Sequence, residues 1–157
     1  MEYPIEKLSA LMWRNGIKIE GDHDFYCFCK EPAPIPAPSK NAHVIKYWEW
    51  YVQAHDLFRL YKKTELCTGD IVSVNLLALE NDCDAVARLM AYCEFDDSEI
   101  QSRTISLSQR GWQKLTLEIP SDKYTYINIE VIPQKASILK GTWDGMAGFV
   151  DDFKIIR

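Results

Sequence analysis

Two adjacent carboxylate pairs, Asp96-Asp97 and Asp151-Asp152, are the residues whose types could support general acid–base chemistry of the glycosidase kind. Neighbouring carboxylates on a strand or in a turn diverge, however, and solvation or a shared cation accounts for them more simply than catalysis. His23, His43 and His55 stand without a nucleophile or a metal ligand at useful spacing. Asp22, His23 and Asp24 are consecutive, so in an extended chain they alternate in direction and do not converge easily on one ion. Cys27-Phe-Cys29 lacks the two-residue spacer of zinc knuckles and redox sites and reads as a strand with both thiols on one face. No phosphate-cradling glycine loop, Gly-x-Ser-x-Gly elbow or His-Glu-x-x-His pair occurs. The residues point away from an enzyme and toward binding.

The remaining polar and aromatic groups suit that purpose. Sugar sites stack an aromatic ring on the C–H face of the sugar and hold its hydroxyls with planar amide, carboxylate and guanidinium groups. Aromatic residues make up 12% of this chain, and many sit in runs such as Tyr47, Trp48, Glu49, Trp50 and Tyr51. In a strand one parity of that run faces outward: the tyrosines if Trp48 and Trp50 are core, the tryptophans otherwise. Trp143, in the turn-rich Gly141-Thr142-Trp143-Asp144-Gly145, is a further candidate stacking platform.

These residues must be positioned by short strands. The chain has 157 residues, 47% hydrophobic and 26% charged, the balance of one soluble globular domain spanning 1–157. A net charge of −5 gives no general attraction for nucleic acid or anionic lipid, and the apolar stretches are too short for membrane insertion. The first residues lack the pattern of a secretory signal. Five cysteines, an odd and irregularly spaced set, argue against a full disulfide framework while leaving one or two bridges open.

Residues 1–42 form a less regular segment. Ile5, Leu8, Leu11 and Met12 fit an amphipathic helix stopped by Asn15-Gly16, and an opening strand satisfies the same stretch. The four prolines of 32–38 require an extended connector, long enough to cross an edge or an end of a sandwich. After residue 43 aromatic and β-branched runs of strand length recur: 43–54, 57–65, 71–79, 86–95, 103–107, 112–119, 126–132 and 149–156. Turn residues such as Thr68-Gly69-Asp70 and Pro120-Ser121-Asp122 separate them, and no helical stripe intervenes. The fold class is all-β, an antiparallel sandwich or barrel.

Strand parity assigns faces. Ala87, Leu89, Ala91, Cys93 and Phe95 form one apolar core set, with Arg88, Met90, Tyr92 and Glu94 opposite. Val72, Val74, Leu76 and Ala78 form a second, leaving Ser73 and Asn75; Ile127, Ile129 and Val131 form a third, leaving Tyr126, Asn128 and Glu130. At the C-terminus Phe149, Asp151, Phe153 and Ile155 share a parity, which turns Asp151 inward. A carboxylate buried there needs a cation with oxygen ligands, an Arg, or backbone donors.

The order of segments resembles jelly-roll carbohydrate-binding modules of the galactose-binding-like superfamily. Leu66-Cys67-Thr68-Gly69-Asp70 followed by a strand, Gly111-Trp112-Gln113-Lys114-Leu115-Thr116, and the closing Gly148-Phe149-Val150-Asp151-Asp152-Phe153-Lys154-Ile155 carry the resemblance over residues 43–157. It implies two sheets packed face to face, a non-catalytic role, an extracellular or virion setting, and a structural calcium (Ca2+) near the chain ends. Asp151 is the expected calcium ligand and Glu20 its candidate partner. The implied glycan site is a concave sheet face carrying Arg88, Tyr92, Glu94, Asn75, Asn128 and Glu130. The function expected is a module that binds a polysaccharide and anchors a parent enzyme chain or particle to it. The alternative is a structural or protein-interaction jelly roll, for example of a phage tail or virion, whose partner is a protein.

Overall fold

A computed structural model of the chain describes residues 8–19, 26–30, 33, 36–39, 41–47, 55–77, 85–107, 111–134 and 145–157. Every regular element among them is a strand: β1 (Ser9–Arg14), β2 (Ile17–Ile19), β3 (Tyr26–Lys30), β4 (His43–Tyr47), β5 (Leu57–Lys63), β6 (Ile71–Leu77), β7 (Ala85–Tyr92), β8 (Glu99–Gln101), β9 (Ile105–Ser106), β10 (Trp112–Glu118), β11 (Tyr126–Pro133) and β12 (Gly145–Ile156). They form two antiparallel sheets. The seven-stranded sheet runs β2-β1-β5-β11-β7-β8, with β9 also on β7, and the five-stranded sheet runs β10-β6-β12-β4-β3. This is the all-β sandwich that the run of short strands implied.

The inner faces follow the parity of the sequence. Val72, Val74 and Leu76 of β6, Ala87, Leu89 and Ala91 of β7, and Ile127, Ile129 and Val131 of β11 are all buried in one continuous core. Phe58 and Leu60 of β5 and Leu115 and Leu117 of β10 complete it from the same alternation. Each fully buried side chain of this size contributes about 1.5–3 kcal/mol relative to leaving it in water. Cys93 keeps the core parity of β7, but Phe95 does not: the strand ends at Tyr92, the chain turns, and Phe95 is 85% exposed. Ala78 lies outside the described residues.

At the N-terminus the strand alternative holds and the helix does not. Asn15 and Gly16 both take positive φ (52° and 77°) and Arg14 pairs with Ile17, so Asn-Gly is the two-residue turn of a β1–β2 hairpin. The described part of the proline-rich segment crosses a sheet face rather than an edge or an end. Ala33 packs against Val44, Leu77 and Phe149 on the outer side of the five-stranded sheet. Farther along, the Ser39 N–H donates to Asp151 Oδ2 at 2.8 Å and the Ser39 hydroxyl donates to Asp151 Oδ1.

That contact corrects the orientation of Asp151. In β12, Phe149, Val150 and Asp151 pair with Leu77, Leu76 and Asn75, but the next partner of β6 is Lys154 opposite Ser73. The register shift is a bulge at Asp152 and Phe153, with Asp152 at φ 53°. One extra residue reverses the alternation. Val150, Phe153 and Ile155 therefore enter the core, while Phe149 belongs to the separate outer cluster. Asp151 shares the side of Phe149 and is buried (0% exposed) beneath Ser39, away from the sandwich interior.

Candidate functional site

The outer face of the seven-stranded sheet is ordered in rows by its registers. Leu11, Arg59, Glu130 and Arg88 lie side by side across β1, β5, β11 and β7. Toward one end of the strands the next row is Trp13, Leu57, Ile132 and Val86; toward the other it is Tyr61, Asn128, Met90 and Gln101, then Lys63, Tyr126, Tyr92 and Glu99. The alternation Leu57-Phe58-Arg59-Leu60-Tyr61 turns Phe58 and Leu60 inward and so leaves Arg59 and Tyr61 outward.

Glu130 is the hub of the charged row. Its Oε1 accepts from Arg59 Nε at 2.8 Å and lies 2.6 Å from another Arg59 nitrogen. Its Oε2 accepts from Arg88 Nε at 2.5 Å. Arg88 Nη1 donates onward to Gln101 Oε1 at 2.7 Å. The Glu130 side chain is 0% exposed, whereas each guanidinium-bearing side chain is 28% exposed. A buried carboxylate is costly without such partners, and here both oxygens are met by charge-assisted bonds. The Arg59 guanidinium carbon also lies 4.9 Å from the centroid of the Trp13 ring, within cation–π range.

Beside this row is a second feature. Tyr92 and Tyr126 stack at 4.6 Å between centroids with an 11° interplanar angle. The Lys63 ammonium sits 5.7 Å from the Tyr126 centroid and pairs with Glu94 at 2.8 Å. Burial first, then Tyr126, raises the Tyr92 phenol above its ordinary pKa, so Tyr92 presents a neutral O–H at neutral pH. Glu94 hydrogen-bonds Lys63 and thereby raises the ammonium above its usual range. At the other end of the strands a depression of about 210 Å³ is lined by Val86, Ala87, Arg88, Thr104, Glu130 and Ile132.

The structure therefore brings together Arg88, Tyr92, Glu94, Asn128 and Glu130 of the expected set, with distinct exposures. Arg88 and Tyr92 are half-buried, while Asn128 and Glu130 are buried, so Glu130 positions the two arginines. Asn75 does not join them. It lies on β6 in the other sheet, where its amide donates to Asp152 Oδ2 at 3.4 Å. Trp143, Glu20, Trp48 and Trp50 fall outside the described residues. Arg59, Tyr61, Trp13 and Gln101 join the face without being among the residues expected from the sequence. The alternation of residues 57–61 signals the first two, but Trp13 and Gln101 reach the site only through pairing that the sequence does not state.

The carboxylate pairs are also accounted for. Asp96 accepts from the Ser98 hydroxyl and N–H, at 2.6 and 3.0 Å, and from Lys123 at 3.0 Å. These bonds, Ser98 first, hold Asp96 well below the usual carboxylate range. At Asp151 both oxygens accept from Ser39, and among the described residues no group of three His, Cys, Asp or Glu converges as metal ligands. Among the described residues the surroundings of Asp151 supply donors rather than the several oxygen ligands calcium requires, and Glu20, its expected partner, lies outside them.

No family model matches the chain, and no curated protein matches its sequence. Solved structures do share its architecture. It is similar to TmCBM61, solved in complex with β-1,4-galactotriose (TM-score 0.54, 17% identity, covering 98% of this chain and 90% of that one). It is also similar to the CBM22-1 xylan-binding domain of Paenibacillus barcinonensis Xyn10C (0.55, 14%, 99% and 91%). A third likeness is to the CBM22-1 and GH10 modules of Clostridium thermocellum xylanase 10B with xylohexaose (0.57, 10%, 99% of this chain and 27% of that longer one). At these identities the likeness establishes the fold: the chain is an antiparallel jelly-roll β-sandwich of the architecture found in carbohydrate-binding modules.

Proposed function

We propose that the protein is a non-catalytic glycan-binding module whose site is the outer face of the seven-stranded sheet. The observation that carries this reading is the juxtaposition of half-exposed aromatic rings with held polar groups. Trp13, Tyr92 and Tyr126 share one face with Arg59, Arg88 and Gln101. Rings provide apolar contact for the C–H faces of sugars, and guanidinium and amide groups fix the hydroxyls. Stacked rings and shared carboxylates lose little freedom on binding, which favours affinity. The likeness to modules solved with β-1,4-galactotriose and xylohexaose supports a polysaccharide or glycan as ligand. That one likeness is to a module within a larger xylanase supports an anchoring role for a parent chain.

A protein-docking jelly roll is the competing reading. It is favoured by a continuous apolar face, whereas here Met90 is buried, Leu77 lies on the other sheet, and charged side chains occupy the centre. Affinity electrophoresis against a panel of soluble polysaccharides tests the proposal. Retardation by one class, lost in Trp13→Ala with folding retained, is the expected result. A chain that no polymer retards contradicts it.

A further inference from the structure

The charge on this face is unevenly placed, and the placement selects among glycans. Among the described residues Arg59 and Arg88 share a single carboxylate, so this row carries one more positive than negative charge in a chain whose net charge is −5. The other acidic groups described on the same face lie elsewhere. Glu94 pairs with Lys63, and Glu99 accepts from Gln101 at 3.2 Å; both sit by the Tyr126–Tyr92 row, about 13 Å along the strands from Glu130. Each guanidinium has five N–H donors, and the bonds to Glu130 and Gln101 leave some of them unused.

Next to the arginines lies an apolar row. Trp13, Leu57, Ile132 and Val86 are half-buried on four adjacent strands, spanning about 14 Å, and the depression of about 210 Å³ at Val86 and Ile132 has Arg88, Thr104 and Glu130 as its polar lining. A chain of sugars lying along this row puts its C–H faces on the apolar strip and its substituents against Arg59 and Arg88. A hydroxyl uses only part of a guanidinium, whereas a planar carboxylate matches its fork and its charge. Glu130 holds both forks in place before any ligand arrives.

Resting on the glycan-binding reading above, we propose that the ligand is a polysaccharide bearing carboxylates, a polyuronate. Its sugars lie along Trp13, Leu57, Ile132 and Val86, and its carboxylates pair with Arg59 and Arg88. Glu130 is a positioning residue.

The test compares polygalacturonate, the same polymer after chemical reduction of its carboxyl groups, a sulfated polysaccharide and neutral galactan and xylan, each in affinity gels at low and high NaCl. The proposal expects polygalacturonate to retard the wild-type protein at least about tenfold more strongly than the reduced polymer, with retardation falling as salt rises. Arg88→Gln and Arg59→Gln are each expected to weaken it by about tenfold, Arg88→Lys by less, and Lys114→Gln, on the other sheet, not at all. The polymer arm uses unmodified protein, so a variant that misfolds does not decide the matter. Equal retardation by native and reduced polymer, or retardation by neutral polymers alone, overturns the polyuronate assignment and leaves the glycan-binding reading standing. Retardation by the sulfated polymer alone overturns the carboxylate in favour of another anion. No retardation by any polymer overturns both readings.

Discussion

The two sheets bury their inner faces in the same way but handle a buried carboxylate on their outer faces differently. On the five-stranded sheet, Asp151 is fully buried and its oxygens are met by the N–H and hydroxyl of Ser39, while Ala33 covers Val44, Leu77 and Phe149. On the seven-stranded sheet, Glu130 is equally buried, but its oxygens are met by two arginines that remain partly in solvent. The first arrangement meets both oxygens with local donors and fastens a covering segment over part of the face. The second fixes two cations and leaves donors facing outward. A buried carboxylate can thus fasten a covering segment or organise a site, and the partner decides which.

The comparison is tested most strongly at its closed side. Asp151→Ala removes the acceptor of two bonds and is expected to cost about 2–3 kcal/mol in urea denaturation, with glycan retention by the folded fraction unchanged. A loss of retention without loss of stability would place Asp151 in the site and reverse the roles of the faces. Both Asp151 oxygens are already met by Ser39, so adding calcium or EDTA is expected to leave the melting temperature unchanged. On the other sheet, Trp13→Ala removes the ring beside the Arg59 guanidinium. Retention is expected to fall by about tenfold or more, equivalent to about 1.4 kcal/mol, with about 1 kcal/mol lost in stability. A large fall in melting temperature with retention intact would make Trp13 a packing residue only.

Smaller effects sharpen the contrast. The Ser73 hydroxyl is buried on the closed sheet without a hydrogen-bond partner, so Ser73→Ala is expected to gain up to about 1 kcal/mol in the same denaturation assay. Asp96, in the turn after β7, has a folded pKa depressed below its ordinary 3.8 by Ser98 and Lys123. Its contribution is therefore present above the ordinary value and is lost as pH falls through the lower, folded one. Because the group is exposed the effect is small, and it is read as a shallower acid-unfolding curve in Ser98→Ala.

The parts legible in the sequence are those set by neighbours along the chain. Ile127, Ile129 and Val131, or Val72, Val74 and Leu76, announce their inward face because strand alternation is local. Arg88 and Tyr92 face outward for the same reason. Asp151 shows the limit: alternation runs without a break from Phe149 to Ile155 in the sequence, and the bulge at Asp152 depends on a positive φ that an Asp does not advertise. Asn15-Gly16 is a hairpin turn that a helix stop imitates until the following strand is seen to pair. Asn75 is outward like Arg88, yet on the other sheet. Which strands adjoin is a long-range property that local pattern does not carry, and Trp13 and Arg59 meet only because β1 and β5 pair.

The proposed glycan site is the outer face of the seven-stranded sheet. Chemical-shift mapping of the labelled protein with an oligosaccharide of the polymer that retards it locates the ligand directly. The largest shifts are expected at the Trp13 indole, the Arg59 and Arg88 side chains, and the backbone of β7 and β11. Shifts confined to Ser39, Asn75 and Asp151, or no shifts with any glycan of the panel, would contradict it.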